Sequence, residues 1–148
     1  MDTARSPGIT LEALELVECH VGDVKPNAEP NYHLGLTALD RALSPDGKLM
    51  SYRVAFDLVK GIATPPCRFT CAFLVKYSRA ADSNMTWDEF KDFHAVAHLI
   101  PYLRELISNI TTRMPLPMLM LPPVNVHRLL KEYREPQLRE EAATPVPG

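Results

Sequence analysis

The sequence predicts an α+β domain: one four-stranded antiparallel sheet with helices on one face. Segments in which apolar and polar residues alternate fill the first half of the chain, and apolar residues with helical spacing follow them. Short turns between successive strands favour antiparallel pairing of each strand with the next, so a meander-like sheet is predicted. A sheet with one apolar face needs helices to cover that face, which places the helices together on one side.

The four predicted strands differ in how clearly the alternation marks them. The first covers residues 10–24, where the alternation changes phase between Leu16 and Val17, as a β-bulge would produce. The second covers residues 31–38. Beyond a Ser-Pro-Asp-Gly turn at residues 44–47, the third and fourth strands cover residues 50–58 and 67–77, with an apolar residue at nearly every second position.

Helical signals begin at Thr86, which forms a capping box with Glu89 and predicts a first helix there. Pro101 suits the first position of a helix, so a helix start or a sharp bend is predicted at Ile100. One face of the following helix is apolar. Its members are Leu103, Leu106, Ile107, Ile110 and Met114, and the polar residues Arg104, Glu105, Ser108, Asn109 and Thr112 fall on the other face.

The end of the chain is predicted to contain one more helix and a tail. Pro115 and Pro117 exclude a continuing helix, so residues 116–123 are extended. Asn125 is an acceptable N-cap for a last helix that ends at Tyr133. Residues 1–133 are therefore predicted to form a single domain, and residues 134–148 a disordered polar tail.

Composition excludes several classes of function. The net charge is −2 without a basic stripe, which argues against nucleic acid as a partner. No apolar run approaches the roughly 20 residues of a membrane span, so no direct membrane insertion is predicted. The first residues lack the apolar core of a signal peptide, and a cytoplasmic location is expected.

Catalytic and metal-binding motifs are weak. His94 and His98 stand one helical turn apart, but the zinc-protease motif requires a glutamate where Ala95 stands. Phosphate loops and nucleophile elbows are also missing from the sequence. The sequence therefore predicts no enzyme, no metal and no cofactor, and a small oligomeric metal-binding protein or enzyme using His94 and His98 is the competing hypothesis. The cysteines at positions 19, 67 and 71 are expected to be reduced and mostly structural.

The segment 114–124 holds half of the six methionines together with four prolines. It is either a connector packed over the core or an adaptable apolar lip, because unbranched methionine side chains mould to varied partners. Together with the apolar helix face it offers more apolar surface than one sheet can cover, which indicates an oligomer interface, a binding groove, or both.

An ordered set of motifs resembles the SecB family of protein-export chaperones. The motifs are LIPYLRELIS at residues 99–108, LP at 116–117 and LPPVNV at 121–126, followed by an apolar helix that ends at Tyr133. The resemblance implies a homotetramer, a dimer of dimers, that holds unfolded precursor proteins in apolar grooves without ATP. It implies an oligomer interface at Leu103, Leu106, Ile107 and Ile110. It also implies client-binding residues at Tyr32, Leu34, Leu36, Leu116, Met118, Leu119, Met120, Val124, Val126, Leu129, Leu130 and Tyr133.

One departure from the family pattern concerns the partner that receives the client. The family associates docking of the SecA motor with an acidic residue on the last strand, and this residue aligns with Ala72. Chaperoning is therefore better supported than delivery to SecA. The alternative is a SecB-like chaperone that serves another client, such as the antitoxin of a toxin–antitoxin pair.

Overall fold

The structure, a computed structural model, describes residues 8–83 and 85–143. Its elements are β1 (Ile9–Gly22), β2 (Gly35–Leu43), β3 (Leu49–Asp57), β4 (Arg68–Arg79), α1 (Asp92–Thr112) and α2 (Val126–Ala143). All strand pairs are antiparallel within one four-stranded sheet. The predicted α+β class is confirmed. No helix in the described part of the chain is both long and apolar enough to cross a membrane.

The order of the strands differs from a simple meander. The sheet runs β1-β4-β3-β2, so the first strand lies beside the last and does not touch the second. The prediction that every successive pair of strands would be neighbours was wrong for β1 and β2. The loop of residues 23–34 is long enough to carry the chain across the sheet, whereas a short turn would have forced a hairpin. Both β1 and β2 are therefore edge strands.

The bulge predicted in β1 is present. The register with β4 shifts between Leu16 and Glu18, which leaves Val17 as the extra residue, and a second shift lies between Leu11 and Ala13. The change of phase in the sequence is thus a real interruption of the ladder.

The second strand begins later than predicted. Tyr32 and Leu34 precede β2, and the chain there makes an isolated bridge between His33 and Val59. At Gly35 the side chain of Lys60 crosses so close to the backbone that a Cβ would collide with it. A second departure from plain alternation is a bulge between Leu36 and Ala38. Alternation predicted an extended chain correctly, but not which backbone it would pair with.

The third and fourth strands match the prediction. Gly47 closes the turn between β2 and β3 with a φ of 73°, and its N–H donates to the Ser44 carbonyl at 2.9 Å. The inner face of the two strands forms the centre of the core. Its buried members are Met50, Tyr52, Val54, Phe56, Phe69, Cys71, Phe73, Val75 and Tyr77.

Helix α1 is one continuous helix rather than two. Thr86 and Glu89 do exchange capping hydrogen bonds, but these close a single turn, and the helix begins at Asp92. Pro101 lies inside the helix, where it removes one backbone hydrogen bond. Leu99 and Leu103 on either side of it are fully buried against the sheet. We attribute the continuity of the helix to this packing, which outweighs the lost bond.

Helix α2 begins as predicted and ends later. The Asn125 side chain accepts a hydrogen bond from the Arg128 N–H at 3.1 Å, which confirms the N-cap. The predicted end at Tyr133 is wrong, because the helix continues to Ala143. Residues 134–143, predicted to belong to a disordered tail, are helical, and residues 144–148 lie outside the described residues. Arg134 makes an ion pair of 2.9 Å with Asp92, which ties α2 to the start of α1.

The inner face of α1 completes the core of the protomer. Leu103 is 1% exposed and Ile107 is 0% exposed within a single chain. From this position neither side chain has surface to offer to another subunit. Leu106 and Ile110, the other two residues of the predicted oligomer interface, are half-buried and pack against the edge of the core.

Candidate binding groove

Three distant segments of the chain, together with Leu58 just after β3, enclose a cavity of about 310 Å³ next to α2. The three segments are the residues before β2, the segment that links α1 to α2 (residues 113–125, here called the connector), and the first two turns of α2. We call this space the connector cavity. Its lining residues are Tyr32, His33, Leu34, Leu58, Leu119, Leu121, Pro122, Pro123, Val124, Asn125, Arg128, Leu129 and Glu132.

Five residues that were predicted to bind clients line the connector cavity. They are Tyr32, Leu34, Leu119, Val124 and Leu129. The first two precede β2, the next two lie in the connector, and the last lies on α2, so the fold brings together residues almost 100 positions apart. Leu129 is also part of the buried core.

The other predicted client-binding residues lie elsewhere. Val126 and Leu130 are buried in the core, and Leu36, which is also buried, lines a second cavity described below. Leu116 and Tyr133 are half-buried against the core.

Two of the three methionines of the connector, Met118 and Met120, point into solvent, with 53% and 69% of their surfaces exposed. Neither residue lines the connector cavity. Alternating side chains of the extended connector therefore face opposite ways, with Leu119 and Leu121 directed inward.

Polar residues of α1 hold the connector in this extended form. The buried hydroxyl of Thr111 accepts a hydrogen bond from the Leu119 N–H at 2.9 Å. The Ser108 hydroxyl, which donates to the Arg104 carbonyl at 3.0 Å, lies 3.4 Å from the Leu119 carbonyl. Arg104 Nε donates to the Leu121 carbonyl at 3.3 Å. These three residues form one stripe on the helix. Because the stripe binds backbone atoms, the connector's side chains are left available.

A second cavity of about 530 Å³ adjoins the first. We call it the lysine cavity, because Lys60 crosses it and donates from Nζ to the Leu36 carbonyl at 2.7 Å. Tyr32, His33 and Glu132 line both cavities. The two spaces therefore form one groove along α2, divided at these three side chains.

A charged group marks the division of the groove. His33 Nε2 lies 3.1 Å from Glu132 Oε2, and Arg128 Nε donates to Glu132 Oε1 at 3.0 Å. Burial acts to raise the pKa of the Glu132 carboxyl, but the hydrogen bonds from Arg128 and His33 outweigh it and hold the pKa below its usual value. The carboxyl is therefore ionised at neutral pH. We call the group of His33, Glu132 and Arg128, which divides the apolar groove, the waist.

The waist is the part of the groove that sequence reasoning missed. His33 and Glu132 are 99 positions apart, and no periodic pattern links positions that distant. Helical spacing from Asn125 and Leu129 would have placed Glu132 on the same face of α2, since the three lie at i, i+4 and i+7. That signal was present in the sequence.

The competing metal hypothesis rests on His94 and His98. His94 Nδ1 accepts a hydrogen bond from the Lys91 N–H at 3.1 Å, and the Tyr77 hydroxyl lies 2.9 Å from His98 Nδ1. Burial, and secondarily the neighbouring His94, lowers the pKa of His98. Among the residues that the structure describes, no three His, Cys, Asp or Glu side chains gather where they could hold a metal.

One solved structure shares this architecture over most of its length. It is a SecB-like chaperone from Mycobacterium tuberculosis in complex with a ChAD peptide from the HigA1 antitoxin. The superposition has a TM-score of 0.62, covers 79% of this chain and 91% of that chain, and pairs residues that are 20% identical. This chain has a SecB-like fold.

Other similarities are weaker or shorter than the SecB-like match. An uncharacterized protein of Methanocaldococcus jannaschii is 40% identical over 47 residues, which are 32% of this chain and 30% of that protein. A protein of unknown function from Streptococcus agalactiae superposes with a TM-score of 0.42 at 14% identity, covering 78% of this chain and 97% of that chain. No protein-family model matches the sequence.

The SecB-like sheet also leaves one apolar surface uncovered. Leu11, Leu16 and Val21 of β1 stand opposite Tyr77, Phe73 and Phe69, so they lie on the inner side of the sheet. They are nevertheless 38–45% exposed, because β1 lies at the edge of the sheet, where the helices do not cover it. We call this surface the β1 inner face.

Proposed function

We propose that the protein is an ATP-independent chaperone that holds unfolded polypeptide segments in the groove along α2. The observation that carries this proposal is the convergence of Tyr32, Leu34, Leu119, Val124 and Leu129 on one cavity. The SecB-like fold and the peptide held by the Mycobacterium tuberculosis chaperone support it.

The groove suits an unfolded segment for physical reasons. Full burial of a large apolar side chain contributes about 1.5–3 kcal/mol. A few client side chains buried in the two cavities would therefore give weak, reversible binding. Folded proteins hide these side chains and offer nothing to the groove. Several grooves on one oligomer would multiply the effect for a long client, which favours long unfolded chains over short peptides.

The test compares two double variants that each remove two large apolar side chains. Tyr32→Ser with Leu34→Ser removes two large apolar side chains from the wall of the groove. Leu43→Ser with Leu49→Ser is the matched control, because both leucines are exposed next to the turn between β2 and β3. We expect the groove variant to lose most of its suppression of aggregation of an unfolding substrate without ATP, and the control to keep it. The proposal would be overturned if both variants suppressed aggregation of the substrate equally well.

A second candidate client is the antitoxin of a toxin–antitoxin pair. The antitoxin peptide bound to the Mycobacterium tuberculosis chaperone favours it. Proteins that co-purify with the chain from its own cells, compared between wild type and the Tyr32→Ser, Leu34→Ser variant, separate the two candidates. One dominant antitoxin lost from the variant supports this client, and a broad set of precursor proteins supports protein export.

The expected location of the activity is the cytoplasm, and docking of the SecA motor is not part of the proposal. Ala72, which aligns with the acidic docking residue of the family, is 2% exposed and carries no charge. The position therefore lacks the electrostatic attraction that a charged partner surface would need.

We propose that the protein assembles with copies of itself through β1. This 14-residue edge strand combines unpaired backbone groups with the exposed apolar side chains of the β1 inner face. An antiparallel pair of β1 strands from two protomers would be self-complementary, as a two-fold dimer requires. The proposed dimer would be the building unit of the dimer of dimers that the SecB resemblance implies.

A further inference from the structure

Two of the three cysteines face each other across the β1–β4 ladder. Cys19 pairs directly with Cys71, within an unbroken run of pairs from Glu18 opposite Ala72 to Gly22 opposite Arg68. Directly opposite residues of an antiparallel pair project to the same side of the sheet. Both sulfurs therefore lie on the inner side of the sheet, and both cysteines are free thiols.

The spacing of this pair fits a disulfide without movement of the backbone. Opposite residues in antiparallel strands have Cα atoms about 4.5 or 5.5 Å apart. Disulfides form between Cα atoms about 4.4–6.8 Å apart. Cys67 differs in this respect, because the ladder ends at Arg68 and gives Cys67 no partner position on β1. Replacement of Cys67 is therefore the matched control for replacement of Cys19 or Cys71.

The two thiols differ in access. Cys19 is exposed at the sheet edge, and Cys71 is buried beneath it. Burial, together with the charge of Cys19, raises the pKa of the Cys71 thiol to about 12. Burial also raises the pKa of Cys19. Within one protomer, an oxidant from solution therefore meets Cys19 first, and Cys71 acts as the resolving thiol.

We infer that Cys19 and Cys71 form a redox modification site, at which a low-molecular-weight disulfide such as glutathione disulfide converts them into an intramolecular cross-strand disulfide. The Cys19 thiolate attacks one sulfur of glutathione disulfide, forms a mixed disulfide and releases one glutathione thiolate, which takes up a proton. The Cys71 thiol gives up its proton, its sulfur attacks the Cys19 sulfur, and the second glutathione leaves. Two cysteines are oxidised, and one glutathione disulfide is reduced to two glutathione molecules.

The disulfide would fasten the edge strand to the sheet. It joins positions 19 and 71 and thereby closes a long loop in the unfolded chain, which stabilises the folded state. For a protein of this size the expected rise in Tm is about 5–15 °C. Backbone amides of β1 near Cys19 should exchange more slowly in the oxidised protein, because opening of the edge strand is restricted.

The experiment treats the native full chain with excess glutathione disulfide, alkylates the remaining thiols and maps the peptides by mass spectrometry. Wild type and Cys67→Ser should each give a linked peptide pair containing Cys19 and Cys71. Cys71→Ala should instead stop at a glutathione adduct on Cys19. Cys19→Ser should give neither product, and dithiothreitol should reverse the shift in Tm.

Three results would overturn the inference. The first is a lasting glutathione adduct on Cys19 of the wild type without a linked pair. The second is a disulfide that joins two protomers through Cys19, and the third is retention of three alkylatable thiols. Wild type and Cys67→Ser decide the question even if Cys71→Ala does not fold.

Discussion

The β1 inner face and the connector cavity are both apolar and both open, but they differ in shape and in their polar surroundings. The β1 inner face is an edge-strand surface bearing the exposed side chains Leu11, Leu16 and Val21. The connector cavity is concave, encloses about 310 Å³ and has the charged waist of His33, Glu132 and Arg128 at one side.

Exposure alone therefore does not assign a surface to a partner. A regular edge strand repeats the same backbone pattern along its length and suits a second copy of itself. A concave cavity whose wall is held by backbone hydrogen bonds suits side chains of varied shape. We therefore propose self-association for the first surface and client binding for the second.

The largest expected effect comes from charging the β1 inner face. Leu16→Glu with Val21→Glu should shift the protein from an oligomer to a monomer. Each large apolar side chain withdrawn from an interface forfeits about 1.5–3 kcal/mol, so the assembly should weaken at least tenfold for each residue. Light scattering over a dilution series measures the mass, with Leu43→Ser and Leu49→Ser as the control.

Two outcomes would contradict the assignment of β1 to self-association. One is a wild type that stays monomeric at every concentration. The other is a double glutamate variant whose mass equals that of the wild-type oligomer.

A smaller effect is expected where the connector is anchored. Thr111→Val removes the buried hydroxyl that accepts from the Leu119 N–H. An unsatisfied buried donor costs about 1–3 kcal/mol, so the free energy of unfolding should fall by that amount. Hydrogen exchange at the Leu119 amide should also become faster.

The matched control for the anchor is Thr112→Val, because the exposed Thr112 hydroxyl donates to the Ser108 carbonyl within α1. It should leave the Leu119 amide unchanged. If both variants exchange at the wild-type rate, the anchor at Thr111 does not hold the connector.

The smallest expected effect is the pH dependence of the waist. The pKa of Glu132 in the folded protein lies below its ordinary value of 4.5. Its contribution to stability is therefore full well above pH 4.5 and is lost as the pH falls through the lower folded pKa. The carboxylate is partly exposed, so the contribution should stay below about 1 kcal/mol.

Urea unfolding of wild type and Glu132→Gln measures this contribution. Glu132→Gln should be less stable than wild type at neutral pH, and the difference should vanish in acid. Glu105→Gln, on the exposed side of α1, is the control. If the difference in stability between wild type and Glu132→Gln is the same at all pH values, the charge of Glu132 does not contribute to stability.

Local patterns predicted the parts of the fold that local forces determine. Alternation located β3 and β4 correctly, and the phase change at Leu16 located a bulge. The pairing of β1 with β4 depends on a long loop, which no local pattern encodes. Pro101 misled the prediction because tertiary packing of Leu99 and Leu103 outweighs the propensity of one residue.

Sequence reasoning named apolar residues that line the groove and missed the polar ones. Regular apolar spacing, together with the resemblance to SecB, predicted Tyr32, Leu34 and Leu129 as client-binding residues, and all three line the connector cavity. His33 and Glu132 meet only in the folded chain. The oxidisable pair was missed for the same reason, since the register that joins Cys19 to Cys71 follows from the strand order.

The most direct test of the central claim is hydrogen exchange of the whole protein with and without a permanently unfolded probe, reduced and carboxymethylated lactalbumin. We expect the probe to slow exchange at residues 31–36 and 119–133, which border the groove, and to leave β1 unchanged. Protection confined to β1, with no change along the groove, would contradict the assignment of client binding to this site.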